Sequence, residues 1–212
     1  MKFLITAGPT REYIDPVRFI SNPATGTLGY FVAKRAKEHG HSVTVITGPC
    51  NFSEIKGIKK MQVESALEMK NAVEKKFPSF DVLIMTAAVS DWRPAKRYGK
   101  KLKIKKPWKL KLVPNPDILQ SVAQIKRENQ IVVGFALESD NIVKNAKEKL
   151  KKKKLDMLVA NTVENFGKST RNARILVLYP DGKIKNCSGY SKRKLASFLI
   201  FEIERQDRLK CK

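Results

Sequence analysis

Lys103 and Lys105, in the run Lys103-Ile104-Lys105-Lys106, are two residues apart and so share one side of an extended segment. Ammonium groups on such an arm suit a lid over a polyphosphate, because their charge arrives only when the ligand does. An edge strand kept polar against aggregation fits the same residues equally well. A second pair of lysines follows Ile142 and Ala146 along a helical stripe: Ile142, Ala146, Lys149 and Lys153 lie at spacings of four, three and four. Lysines that extend a half-buried stripe either snorkel to solvent or meet an anion. A third element, Ala87-Ala88-Val89-Ser90-Asp91-Trp92-Arg93-Pro94, has small residues that let backbone amides approach a ligand closely. Its Asp91 carboxylate suits a base amino group or a Mg²⁺ ion; a tight turn with Asp91 paired to Arg93 is the purely structural reading. A fourth, Gly8-Pro9-Thr10-Arg11, is a glycine turn after an apolar run, where Gly8 and Thr10 suit a phosphate loop.

Other chemistries fit poorly. The first turn lacks the full Gly-x-Gly-x-x-Gly fingerprint, and the second apolar run ends in Thr47-Gly48 with no acidic residue for a ribose, which disfavours a dinucleotide site. Tyr30/Lys34 and Tyr190/Lys194 have reductase-like spacing, but neither follows a late central strand. Gly167-Lys168-Ser169 resembles the tail of a P-loop, yet Thr162 stands where the first glycine belongs. Cys50, Cys187 and Cys211 match neither a disulfide framework nor a metal site, and His39 and His41 are the only histidines. No side-chain cluster for a metal stands out.

The elements that must position these residues alternate. Lys2–Ala7 is a short buried strand broken by Gly8-Pro9, and a polar stretch continues to about Asn22. Helical spacing over 29–39, ended by Gly40, and a strand over Ser42–Thr47 complete a βαβ unit, which implies a parallel sheet. The pattern continues with strands over 59–63, 81–86, 131–135 and 156–160, helices over 65–77, 115–126 and 141–153, a hairpin over 174–179 and 183–186 turning at Asp181-Gly182, and a closing helix over 191–205. Between Asp91 and Pro114 this periodicity fails. There, 101–106 and 109–113 alternate lysine with apolar residues, as in an extended arm outside the sheet. The expected architecture is α/β: one Rossmann-like domain over 1–212, a doubly wound, mostly parallel sheet with an inserted arm or hairpin at about 95–114.

Lys plus Arg number 43 against 20 Asp plus Glu, a formal net charge of +23. An anionic ligand or a nucleic acid is one reading, and solvated lysine faces are the other. Nucleic acid is the less favoured partner, since aromatic residues make up 8% and do not interleave with the basic runs as a stacking platform needs. No segment approaches the about 18–20 apolar residues that span a bilayer. The opening run is too short for a signal peptide, so the expectation is a cytoplasmic protein with no membrane partner.

Taken together, Thr6-Ala7-Gly8-Pro9-Thr10-Arg11-Glu12, Ile14-Asp15-Pro16-Val17-Arg18-Phe19-Ile20-Ser21-Asn22, Ala87-Ala88-Val89-Ser90-Asp91-Trp92, Lys103-Ile104-Lys105-Lys106, Asn115-Pro116-Asp117-Ile118, Val133-Gly134-Phe135-Ala136 and Ala160-Asn161 resemble, in order, the phosphopantothenate–cysteine ligases of the stand-alone, CTP-dependent bacterial type. The resemblance implies that CTP, with Mg²⁺, activates 4′-phosphopantothenate as an acyl-cytidylate, and that cysteine displaces CMP to give 4′-phosphopantothenoylcysteine in coenzyme A biosynthesis. ATP-using relatives run the same ligation. By matching positions, Lys103 serves the activation step, Asn22 serves turnover of the intermediate, and Arg18 holds the opening loop or the substrate phosphate. Thr86, Ala87, Asp91, Pro116, Asp117, Ile118, Leu119 and Phe135 match the nucleotide pocket, and Lys149 and Lys153 match triphosphate lysines. Thr27 stands where the family commonly has lysine. The resemblance also implies a homodimer, with the Lys103 arm reaching toward its partner, and a separate phosphopantothenoylcysteine decarboxylase as a possible associate, because many bacteria fuse the two.

Overall fold

The computed structural model describes residues 1–138, 141–162 and 174–210. Gly167-Lys168-Ser169, the basic loop 165–172 and Cys211 lie outside the described residues. In chain order the elements are β1 (Lys2–Ala7), β2 (Arg11–Tyr13), β3 (Phe19–Ser21), α1 (Thr27–Glu38), β4 (Ser42–Thr47), β5 (Lys59–Gln62), α2 (Ala66–Lys76) with a short 3₁₀ turn after it, β6 (Val82–Met85), β7 (Trp92–Pro94), β8 (Leu112–Pro114), α3 (Ile118–Ile125), β9 (Ile131–Glu138), α4 (Ile142–Lys152), β10 (Met157–Thr162), β11 (Ile175–Leu178), β12 (Ile184–Asn186) and α5 (Lys192–Lys210).

Eight strands form one sheet in the order β12-β11-β10-β9-β6-β1-β4-β5. The six from β10 to β5 are mutually parallel, and β11–β12 is an antiparallel hairpin on the β10 edge. Numbered among themselves, the parallel strands run 3-2-1-4-5-6, the doubly wound order. Period-two alternation divides the core. Phe3, Ile5, Val82, Ile84, Ile131 and Val133 face the side covered by α1 and α5, while Leu4, Leu83, Val132 and Leu158 face α2, α3 and α4. Phe3, Leu4 and Ile5 are all 0% exposed, and full burial of such a side chain contributes about 1.5–3 kcal/mol.

Local signals explain most boundaries. Ser65 caps α2 by accepting from the Glu68 amide, and Asp117 caps α3 by accepting from the Gln120 amide. Other elements depart from the sequence expectation for tertiary reasons. The stretch up to Asn22, read from the sequence only as polar and given no element, contains the β2–β3 hairpin, whose turn is fixed by Asp15 accepting from the Val17 and Arg18 amides. α5 runs on past Arg205 to Lys210, whose ammonium reaches Asp156 Oδ1 and the carbonyls of Glu128 and Gln130. The inserted arm is not part of the main sheet, as expected. Its paired base is β7 with β8, beginning at Trp92, and Lys101 to Lys106 form no strand. Among the described residues, no helix is long and apolar enough to cross a membrane.

Candidate active site

The parallel order reverses between β1 and β6, because the chain leaves them for opposite sides of the sheet, so their carboxyl ends frame a crevice. Polar bonds carry the β1–β6 pairing past the strand ends into that crevice. Thr86 donates its hydroxyl to the Thr6 carbonyl (2.6 Å), and the Ala87 amide donates to Thr6 Oγ1 (3.2 Å). The Ala88 amide donates to the Gly8 carbonyl (2.9 Å), and the Thr10 amide donates to the Ala88 carbonyl (3.3 Å). Gly8 has φ +75, a left-handed conformation that glycine adopts without penalty. The amino end of α1 opens beside this turn, with no acidic residue in its first turn, and so presents orphan amides to an anion.

Thr10 has an internal role. It is fully buried, and its hydroxyl accepts from the Ser90 amide at 3.0 Å. In the phosphate loop read from the sequence, the turn at Gly8 therefore faces the ligand side while Thr10 braces it from behind. Asn22 also acts as a brace: its Nδ2 donates to the carbonyls of Ala88 (3.3 Å) and Val89 (3.2 Å). Both amide hydrogens are thereby engaged, so donation to an oxyanion requires exchanging one of these bonds. Asn22→Asp should leave two backbone carbonyls facing a carboxylate. We expect a loss of about 1–3 kcal/mol in urea unfolding, with faster amide exchange at residues 87–90.

Asp91 is exposed at the mouth of the crevice and does not pair with Arg93. The Arg93 guanidinium donates instead to the Pro114 carbonyl (2.6 Å) and to Asn115 Oδ1 (3.1 Å), while Asn115 Nδ2 donates to the Ser90 carbonyl (2.8 Å). The 86–91 loop and the segment before α3 are thus one hydrogen-bonded body. That segment carries Pro116, Asp117, Ile118 and Leu119, and Lys153 joins it through an ion pair with Asp117 at 2.8 Å. Burial tends to raise the Asp117 carboxyl, but the Lys153 ammonium and the capped helix amides outweigh it, and the net shift is downward. Lys149 lies half-buried on the same stripe as Ala146 and Lys153, as its spacing predicts. Phe135 packs on the other face, against the α1–α5 side of the core.

Lys103 is exposed on the arm. Arg18 lies next to it in space by way of Leu102, donating from Nη2 to the Leu102 carbonyl at 2.8 Å, and its guanidinium is paired with Asp15. That guanidinium, with help from the Val17, Arg18 and Leu102 amides, overcomes burial and holds the Asp15 carboxyl well below the usual carboxylate range. Sequence reasoning passed over Asp15, Thr6 and Asn115 as site-builders. For Asp15 a signal was present, since Asp-Pro is a turn dipeptide. Two buried polar atoms at the carboxyl end of β10, Asn161 Oδ1 and Thr162 Oγ1, have no hydrogen-bond partner among the described residues. Such atoms cost about 1–3 kcal/mol unless a ligand or water satisfies them. Among the described residues no cluster of three or more His, Cys, Asp or Glu could hold a metal ion.

The parallel order 3-2-1-4-5-6, with a crevice at the carboxyl ends of β1 and β6, makes this a doubly wound, Rossmann-like α/β domain. A family model for the DNA/pantothenate metabolism flavoprotein C-terminal domain matches residues 1–206, and the chain belongs to that family. It is 42% identical over 178 residues to the coenzyme A biosynthesis bifunctional protein CoaBC of Borreliella burgdorferi, covering 82% of this chain and 46% of the relative. The chain thus spans about half the length of the curated relatives it matches. The crystal structure of the C-terminal domain of CoaBC superposes with a TM-score of 0.81 at 34% identity, covering 97% of this chain and 94% of that one. A Cab2 mutant in complex with phosphopantothenate-cysteine shares the fold at 17% identity, with a TM-score of 0.76 and coverage of 98% and 86%.

Proposed function

We propose that this chain joins 4′-phosphopantothenate to cysteine in coenzyme A biosynthesis, using a nucleoside triphosphate to activate the carboxylate. The observation that carries the reading is the end-to-end match to the C-terminal domain of a coenzyme A biosynthesis protein. The ligand of the Cab2 complex, phosphopantothenate-cysteine, is the product of this chemistry. The geometry fits. The crevice takes the triphosphate against the first turn of α1 and the Gly8 turn, and lysines of the arm and of α4 neutralise charge that builds on the phosphates as the carboxylate attacks. Mg²⁺ carried by the nucleotide would screen the same oxygens. The carboxylate oxygen attacks the α-phosphorus and pyrophosphate leaves. The cysteine amine then attacks the acyl carbon and expels the nucleoside monophosphate, losing a proton as the amide forms.

CTP is the favoured nucleotide, on the resemblance of Asn115-Pro116-Asp117-Ile118. The Asn115 side chain is already committed to Ser90 and Arg93, and the Asp117 carboxylate to Lys153. Base recognition therefore falls to backbone groups of this segment, whose donors and acceptors are fixed by those bonds. A homodimer suits the arm, whose Trp92 and Trp108 are 53% and 40% exposed. The test is pyrophosphate release with 4′-phosphopantothenate and Mg²⁺, comparing CTP with ATP and presence with absence of cysteine. Sustained turnover should require cysteine and prefer CTP. A preference for ATP would reverse the base assignment, and release with neither nucleotide by folded protein would sink the ligase reading.

A further inference from the structure

Asp15 does more than close the β2–β3 turn. Its side chain is 0% exposed. Oδ1 takes the amides of Val17 and Arg18, both at 2.9 Å, and these two bonds suffice for the turn. Oδ2 is directed elsewhere: it accepts from Arg18 Nε (2.9 Å) and Nη2, and from the Leu102 amide at 3.1 Å, across 87 residues of sequence. Arg18 Nη2 in turn donates to the Leu102 carbonyl. Both backbone polar groups of Leu102 are therefore gripped by one ion pair whose carboxylate is buried, and the next residue is Lys103. The Tyr98 amide, donating to the Ile14 carbonyl at 2.8 Å, adds a second tether to the same turn.

The arm needs such a grip. Its base, β7 with β8, is only three residues long on each side. Between Ala95 and Leu112 the sequence carries nine basic residues and no acidic one, so the arm repels itself. A short hairpin under that repulsion does not by itself define where one ammonium stands. Charge-assisted bonds from a buried carboxylate do, because each is about twice as strong as a neutral one.

We propose that Asp15 is a positioning residue: with Arg18 it clamps Leu102 and so sets the place of Lys103. The kinetic part of this inference rests on the ligase reading; the structural part does not. The first measurement is tryptic cleavage of the native protein within residues 96–111. Losing one charge-assisted bond should raise the population of the open arm, and its cleavage rate, by about 10-fold or more in Asp15→Asn. Leu102→Pro, on the arm itself, removes the amide that meets Oδ2 while fixing φ at 102 and closing the bond after Lys101 to trypsin. Cleavage is therefore read at the remaining basic residues of 96–111, where it should rise in the same direction and carry the test if Asp15→Asn does not fold. The second measurement is a cycle with Lys103→Gln in the pyrophosphate assay. A misplaced Lys103 should cost about 10²-fold in kcat. Asp15→Asn combined with Lys103→Gln should be no slower than Lys103→Gln alone, whereas a general structural defect would add its own loss. Unchanged cleavage in both variants, or losses that multiply in the double variant, would overturn the proposal. If wild-type protein releases no pyrophosphate, the ligase reading fails and the cleavage rates alone decide the clamp.

Discussion

Lys103→Gln is expected to lower nucleotide-dependent pyrophosphate release by about 10²–10³-fold, the range seen when one preorganised group is removed from a site of developing charge. Thermal unfolding should move little. Lys103 is exposed and, among the described residues, takes no hydrogen-bond or ion-pair partner, and exposed substitutions of this kind usually stay within about 0.5 kcal/mol. Activity and stability should therefore separate cleanly at this residue. Lys153 makes the contrast. Its ammonium is ion-paired with Asp117, the capping residue of α3, so Lys153→Gln would disturb the nucleotide segment and the fold together. A Lys103→Gln enzyme that keeps more than about a tenth of wild-type kcat would remove the arm from the activation step, since a tenfold loss is only 1.36 kcal/mol of barrier.

The sequence made the sheet legible because its strands are buried on both faces. Residues 2–7, 42–47 and 82–85 are nearly continuous apolar runs, and glycine or threonine at their carboxyl ends marks where a ligand crevice belongs. Helix positions followed from spacing, and the stripe of Ile142, Ala146, Lys149 and Lys153 appears in the fold with Ala146 buried and the other three half-buried. What stayed hidden depends on tertiary partners. The β2–β3 hairpin has three residues on each side, too few for any period to declare itself, and it stands because Asp15 organises its turn. The sequence offered Thr10 and Asn22 as groups facing a ligand. The structure shows their polar atoms holding the 86–91 loop, a use that no spacing reveals because the partners lie more than sixty residues away.

Gly48 is the sharpest case of a residue whose reason was invisible in sequence, where it reads only as a stop after β4. Its amide donates to the Ala7 carbonyl at 2.9 Å, which fixes the end of β4 against the end of β1. The Pro9 backbone crosses so close that a Cβ on Gly48 would lie 1.7 Å from the Pro9 carbonyl oxygen and 2.8 Å from its carbon. No side-chain rotation relieves a clash with backbone, so Gly48→Ala must pry the Gly8 turn away from β4 or break the Gly48–Ala7 bond. The expected loss is about 3 kcal/mol or more, a magnitude reserved for overpacking and strain. In a domain of this size that lowers the midpoint of thermal unfolding by roughly 6–12 °C. Gly99→Ala is the matching control, since its Cβ would meet nothing within 4 Å and its backbone is not left-handed. A Gly48→Ala protein as stable as the Gly99→Ala control would mean that the turn beside β4 yields easily. The crevice would then owe its shape to the Thr6, Thr10 and Asn22 braces on the β6 side and not to the packing of Gly48 under Pro9.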